Sequence, residues 1–502
     1  MYRRTQLGSR RSAALCVGLM LWLTATEAVG GNVWYAKADA VGGEACDGPQ
    51  TAGLVTDALA KASADDEIVL LPGTYDRSGQ AQLEITKKVT IRSQSGNSDD
   101  VVFVGGGRPN PGRAMSLTRE AAGTTVSGIT FRNFAEPNAH GGAVNCITGS
   151  CSFVDCTFEG CVAGDSDVAP SSDVFNGTGR GGAIYGNGMI VGCRFVGNCA
   201  SSAGGGVYFH NFGSVTNCVF AFNCVSNNVK GTNTRLSGGG ISLSTQHAVT
   251  AVQCSFVSNC AVNTAGDWAQ NGAGNFNSER CLFDGNIGTI NGSAVRGGTH
   301  VGSVFVNSVG EPMAMGGRFV DCVFSNNMAN IVVANGGTFR SCLFFGNQGG
   351  NLMGNSVVHN CTAISNVTVG SRCAFIGNGG ELVNAIFEGN NFANNAISDC
   401  VNGTFMGTPP VVSNSVIEGY VYAGWTNDVT TDHSNLRFVG TGDNPWVLRR
   451  SSFGVNRGQL LSWMTDGASA FDLAGNPRVV GDAPDYGAYE YNPPMSFVIV
   501  VR

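Results

Sequence analysis

Charge is scarce in this chain. Asp, Glu, Lys and Arg make up 13% of its 502 residues, and only five are lysine. So few charges with so much glycine would suggest low complexity, but 43% hydrophobic residues with period-two spacing support an ordered all-β core. The formal net charge is −7 and no basic stripe occurs, which argues against nucleic acid as a partner. Six histidines are scattered, and neither Cys-x-x-Cys nor a Cys/His zinc spacing is present. Beyond residue 30 no apolar run is long enough to cross a bilayer. Nor does any stretch of residues 124–400 keep a 3.6-residue apolar period.

What is abundant is glycine, with 73 residues, alongside 18 cysteines and 28 phenylalanines. They are arranged in a returning phrase: Cys, any residue, Phe, two residues, Asn. It reads Cys193…Phe195…Asn198, Cys218…Phe220…Asn223, Cys254…Phe256…Asn259, Cys281…Phe283…Asn286, Cys322…Phe324…Asn327 and Cys342…Phe344…Asn347. A Gly doublet before a small and then a β-branched residue alternates with it, at Gly141-Gly142, Gly181-Gly182, Gly204-Gly205 and Gly238-Gly239. A phrase returning at a near-constant interval marks a solenoid. Cys and Phe are two apart, so in a strand both point to one face. Glycine at the corners permits positive φ. The expected fold is all-β: a single-stranded right-handed parallel β-helix with a short helical N-terminal cap.

Coils of such a helix repeat about every 4.8 Å, so equivalent residues should stack. The pattern predicts an internal column of Phe, a column of thiols from the first Cys, and an Asn ladder at a turn. A second thiol column is expected from Cys161, Cys199, Cys224 and Cys260, each of which closes its phrase. Neighbouring coils bring such cysteines within disulfide range, though parallel side-chain directions work against the geometry.

The ends read differently. Residues 1–30 have the form of an export signal: Arg3, Arg4, Arg10 and Arg11, an apolar stretch from Ala13 to Thr24, then small residues. Residues 31–123 are read as a cap and first coils, with helical spacing at Leu54, Ala58, Leu59 and Ala62. Residues 124–440 hold the repeat, and 441–502 form a turn-rich, aromatic tail read as a C-terminal cap or anchor-like module. The expected product is an exported, secreted or cell-surface protein with no membrane span in its mature chain.

Three segments resemble known families. Trp34-Tyr35 followed by a Gly-rich stretch, a short helix and Pro72-Gly73-Thr74-Tyr75 resembles the start of pectin-lyase-like β-helix proteins. The Gly-Gly-Ala-(Ile/Val) and Phe-x-x-Asn phrases resemble the repeats of chlamydial polymorphic outer-membrane proteins, a resemblance that implies adhesion. Residues 471–491, with Asp485-Tyr486-Gly487-Ala488-Tyr489, resemble the C-terminal module of secreted bacterial β-helix proteins with variable anchors. Two departures stand out. No series of amphipathic barrel strands follows the repeats, and no acidic row of the kind that binds calcium in the lyases marks the repeat strands.

Inserted loops fall at one point of successive coils, at 162–180, 225–237 and 261–271. Loops grouped on one face are a solenoid's usual binding surface. They carry Asp165, Asp167, Asp173 and Trp268 as expected ligand-binding residues, with the three Asp as calcium ligands if a cation is used at all. The bland alternative is that these are solvated loop residues. The preferred reading is a non-catalytic adhesion or envelope protein whose partner is a polysaccharide or a surface protein of a host or neighbouring cell. The alternative is a polysaccharide lyase or glycoside hydrolase, with Lys230, Arg235 or Asp267 supplying base or cation contacts.

Overall fold

The computed structural model describes residues 31–492, except 77–81, 165–178, 228–235, 245–247, 264–268, 271–275, 289–294, 311–313, 330–331, 350, 355, 369–379, 393–399, 402–403, 406–409, 418–424, 426 and 466–469. The chain winds as a right-handed parallel β-helix. Three parallel sheets run its length: a long sheet of 19 strands, an aromatic sheet of 15 strands, and a narrower third face that starts as a sheet of six. Among the described residues one α-helix forms, Val55–Lys61. It buries Val55 and Ala58 against the first strand, Val33–Ala36, at the N-terminal end.

Register explains the repeat. Phe195 pairs with Phe158 and Phe220, and the same pairing carries Phe256, Phe283, Phe305, Phe324 and Phe344 into one column. From Phe131 to Phe344 neighbouring ring centroids lie 4.7–5.0 Å apart, nearly parallel and buried. The flanking residues face out, as period two requires. The first-position cysteines form the expected inward column. The Cys156 backbone N–H donates to Cys193 Sγ at 3.3 Å, Cys218 to Cys254 and Cys342 to Cys361, each at 3.4 Å. Burial, the largest cause, pushes the Cys322 and Cys342 thiols well above the ordinary range. They are small core residues.

The asparagines form a true ladder. Asn198 Nδ2 donates to Asn223 Oδ1 at 2.9 Å, Asn223 to Asn259 at 3.0 Å, Asn327 to Asn347 at 3.0 Å and Asn347 to Asn366 at 2.9 Å. Each also donates to a carbonyl of the preceding coil, as Asn327 does to Phe305 at 2.9 Å. These amides are buried and satisfied, which is the condition for keeping them there.

The four-member second thiol column needs correction. Val162, not Cys161, pairs with Cys199. Cys161 is fully buried, and its backbone N–H donates to Asn198 Oδ1 at 2.9 Å, which places it at the head of the Asn ladder. One residue of register separates inside from outside. The outer column holds only Cys199, Cys224 and Cys260.

The tail lies along the side of the last coils. Arg478, fully buried, donates to Ser341 Oγ at 2.9 Å and to the carbonyls of Gly487 and Ala488 at 3.1 and 2.7 Å. Asn360 and Thr362 on one coil and Asn384 on the next bond to Asp485, Ala488 and Gln459.

Candidate functional site

The Gly doublets build the wall on which the site stands. The first glycine of each turns at positive φ, 67° at Gly181 and 65° at Gly204 and Gly238. The second is there for space: a Cβ on Gly182 would sit 2.1 Å from the Gly205 carbonyl oxygen. After each doublet the strand alternates. Val144, Ile184, Val207 and Ile241 face in. Their successors fall on the opposite face and join one row by register, Glu84, Ser116, Asn145, Tyr185, Tyr208 and Ser242, in which Tyr185, Tyr208 and Ser242 are buried.

Tyr185 and Tyr208 stack with centroids 5.5 Å apart. Arg180 lies over the Tyr208 ring at 5.1 Å, with Nη1 3.5 Å from its hydroxyl. The His140 ring is 4.5 Å from that of Tyr185, and its Nδ1 accepts the Arg180 backbone N–H at 3.2 Å. Across the row, His210 Nδ1 is 3.5 Å from Tyr185 Oη. Arg113 reaches the same corner, donating to the His140 carbonyl at 3.0 Å and pairing with Glu136 at 3.4 Å. Burial pushes the Tyr185 hydroxyl up and the Arg113 guanidinium down, the latter against the pull of Glu136.

A β-bulge sets the edge. The strand Val207–Thr216 carries His210, Asn211 and Phe212 opposite the single residue Asn187. Asn187 Oδ1 accepts the backbone N–H groups of Asn211 and Phe212 at 2.8 and 3.3 Å. Phe212 is therefore thrust outward, 55% exposed, with Met189 exposed nearby on the paired strand. At the other end of the row lies a cavity of about 430 Å³ lined by Glu84, Ser116, Thr118, Arg119, Asn145 and Thr148, among others.

The seven residues expected from sequence, Asp165, Asp167, Asp173, Lys230, Arg235, Asp267 and Trp268, lie outside the described residues. The feet of their loops do not. Arg180, Ala203 and Ser237 bridge in sequence, and Leu236 pairs with Ala269. The loops thus spring side by side next to the tyrosine row. Among the described residues no three His, Cys, Asp or Glu are grouped to hold a metal ion. Sequence reasoning passed over Tyr185, Tyr208 and the pairing of His140 and His210 with Tyr185. The signal was there: three places after the second Gly of the doublet, just past the inward β-branched residue, alternation turns a side chain to the opposite face.

No family model and no curated protein matches the sequence. Solved structures match it at low similarity. A pectate lyase, Pel9A, is 13% identical over 92% of this chain and 96% of its own, with TM-score 0.32. A PL6 alginate lyase in complex with a trisaccharide is 11% identical over 84% and 92%, with TM-score 0.42. A bacteriophage CBA120 tailspike, TSP3, is 12% identical over 77% and 62%, with TM-score 0.32. With likenesses this distant, the fold rests on the strand registers of the chain itself.

Proposed function

We propose that this is an exported β-helix protein that holds a polysaccharide chain along the face that carries Phe212, Arg180 and the row from Glu84 to Ser242, as an adhesion or envelope component. The carrying observation is the exposed Phe212 beside the half-buried Arg180, His140 and His210, all held in place by the buried Tyr185–Tyr208 stack. Aromatic faces stack on sugar rings, and Arg forks fit sugar carboxylates. Arg180 and Arg119 favour an acidic chain. The row runs along the solenoid axis, the direction in which a linear polymer would lie. The leader 1–30 would direct export, and the loops rooted at Arg180, Ser237 and Ala269 would complete the rim.

A second reading has its own support. Tyr185 Oη within 3.5 Å of His210 Nδ1 is a proton-transfer pair beside a cation, the set that β-elimination from an acidic sugar requires. The test is binding and turnover of acidic and neutral polysaccharides by the purified protein, with the ultraviolet absorbance of unsaturated ends read alongside. Binding without new absorbance, lost in Phe212→Ala and Arg180→Ala, supports the first reading. New absorbance abolished by His210→Ala would replace it with the second, and no binding to any polysaccharide would remove both.

A further inference from the structure

The outer face of the third sheet carries three cysteines that neither reading uses. Cys199 pairs in register with Cys224, and Cys224 with Cys260. The residues after them, Ala200, Val225 and Ala261, are fully buried and form an apolar cluster of their own. Alternation therefore turns the three thiols outward, and all are half-buried rather than enclosed. In-register parallel neighbours lie about 4.8 Å apart, inside the Cα window that a disulfide spans. Cys224 Sγ and Cys260 Sγ are 2.9 Å apart, roughly 0.9 Å more than a disulfide bond. The inward cysteine column has the same coil spacing, but its sulfurs accept backbone N–H groups and are sealed in the core.

We infer that Cys224 and Cys260 join as a disulfide between adjacent coils, and that Cys199 stays as a thiol poised to exchange with it. Formation needs a disulfide oxidant, for which glutathione disulfide serves. Cys260 thiolate attacks one glutathione sulfur and releases a glutathione thiolate. Cys224 thiolate then attacks Cys260 Sγ, the S–S bond closes, and the second glutathione leaves. The cysteine pair loses two electrons, glutathione disulfide gains them, and the two thiol protons end on glutathione. In the exchange step Cys199 thiolate attacks Cys224 Sγ, the Cys224–Cys260 bond breaks, and Cys260 leaves as the thiolate that takes up the proton. The column puts attacking, central and leaving sulfur in one row, as thiol–disulfide displacement requires. Contact with the Cys224 sulfur holds each flanking thiol, Cys199 and Cys260, below its ordinary range, with Arg108 adding to the effect at Cys199. The flanking positions are those the mechanism needs as nucleophile and leaving group.

The experiment is peptide mapping of the purified protein after glutathione disulfide, with native alkylation and digestion without reductant. The expected result is a linked pair of peptides containing Cys224 and Cys260, with Cys199 alkylated. In Cys260→Ser the link should move to Cys199–Cys224. In Cys224→Ser no link should form, because the remaining two are not neighbours. Alkylation of all three cysteines after oxidation, or a Cys199–Cys260 link, would overturn the inference. A circular dichroism spectrum matching the parent's shows that each variant retains the fold.

Discussion

His300 illustrates how a column position dictates chemistry. It stacks on Phe319 at 4.7 Å in a second aromatic column and is fully buried. Its Nε2–H donates to the Gly297 carbonyl at 2.9 Å, so Nδ1 accepts from the Ser278 hydroxyl at 2.8 Å. Burial lowers its pKa to about 4. The unfolded chain takes up a proton near pH 6.5 that the fold refuses until about pH 4. Stability should therefore be intact above pH 6.5 and fall by about 3 kcal/mol as pH drops to 4. His300→Phe extends the Phe319 column and should flatten that slope, read from denaturation midpoints across the interval. In the Asn ladder, Asn327→Ala strips two donated bonds and leaves the Ser308 N–H, which donates to Asn327 Oδ1 at 3.1 Å, without its acceptor. A loss of about 3 kcal/mol is expected by urea denaturation. On the binding face, Phe212→Ala removes exposed aromatic surface only. It should weaken polysaccharide binding about tenfold, or ~1.4 kcal/mol, by calorimetry while leaving the midpoint of unfolding unchanged.

The elements behave as stacked coils with two kinds of specialised segment. Gly182→Ala tests the close approach, since its Cβ would meet the Gly205 and Cys199 carbonyl oxygens at 2.1 and 2.6 Å. Neither obstacle is a flexible side chain, so the coils must separate locally. A loss of roughly 2–4 kcal/mol follows, together with loss of the Tyr185–Tyr208 stack. The tail is held differently, through a buried charge. Arg478 and Glu490 are both fully enclosed, 3.9 Å apart, and Glu490 accepts the backbone N–H groups of Val480 and Asp485 at 3.1 and 3.0 Å. Arg478→Ala leaves that carboxyl without its cation and empties the bonds to Ser341, Gly487 and Ala488. The docked tail should lose about 3–5 kcal/mol and become the first site of limited proteolysis.

At the scale of the molecule, stability is shared between neighbouring coils, and the residues proposed to bind a polysaccharide are concentrated on one stretch of one face. Much of this was legible in the sequence. Cys-x-Phe-x-x-Asn specified which residues stack, because the phrase recurs once per coil whatever the loop between, 25 residues from Phe195 to Phe220 and 36 from Phe220 to Phe256. The paired glycines announced the corners. Cys161 was misread because a one-residue offset looks identical in sequence, and only the pairing of Val162 with Cys199 reveals it. The tyrosine row was unread for a related reason. Tyr185 and Tyr208 hold the same place after their Gly doublets, but His140 and His210 lie 45 and 25 residues from Tyr185, and no local pattern joins them to it. Their meeting depends on how many residues each coil spends in its loops, and on the bulge that throws Phe212 outward. Short-range alternation is local physics, and the sequence by itself determined it: all-β, parallel, coiled, with its aromatic and amide columns. Which side chains from distant coils share a surface is decided by register and coil length together, and that only the tertiary structure supplied.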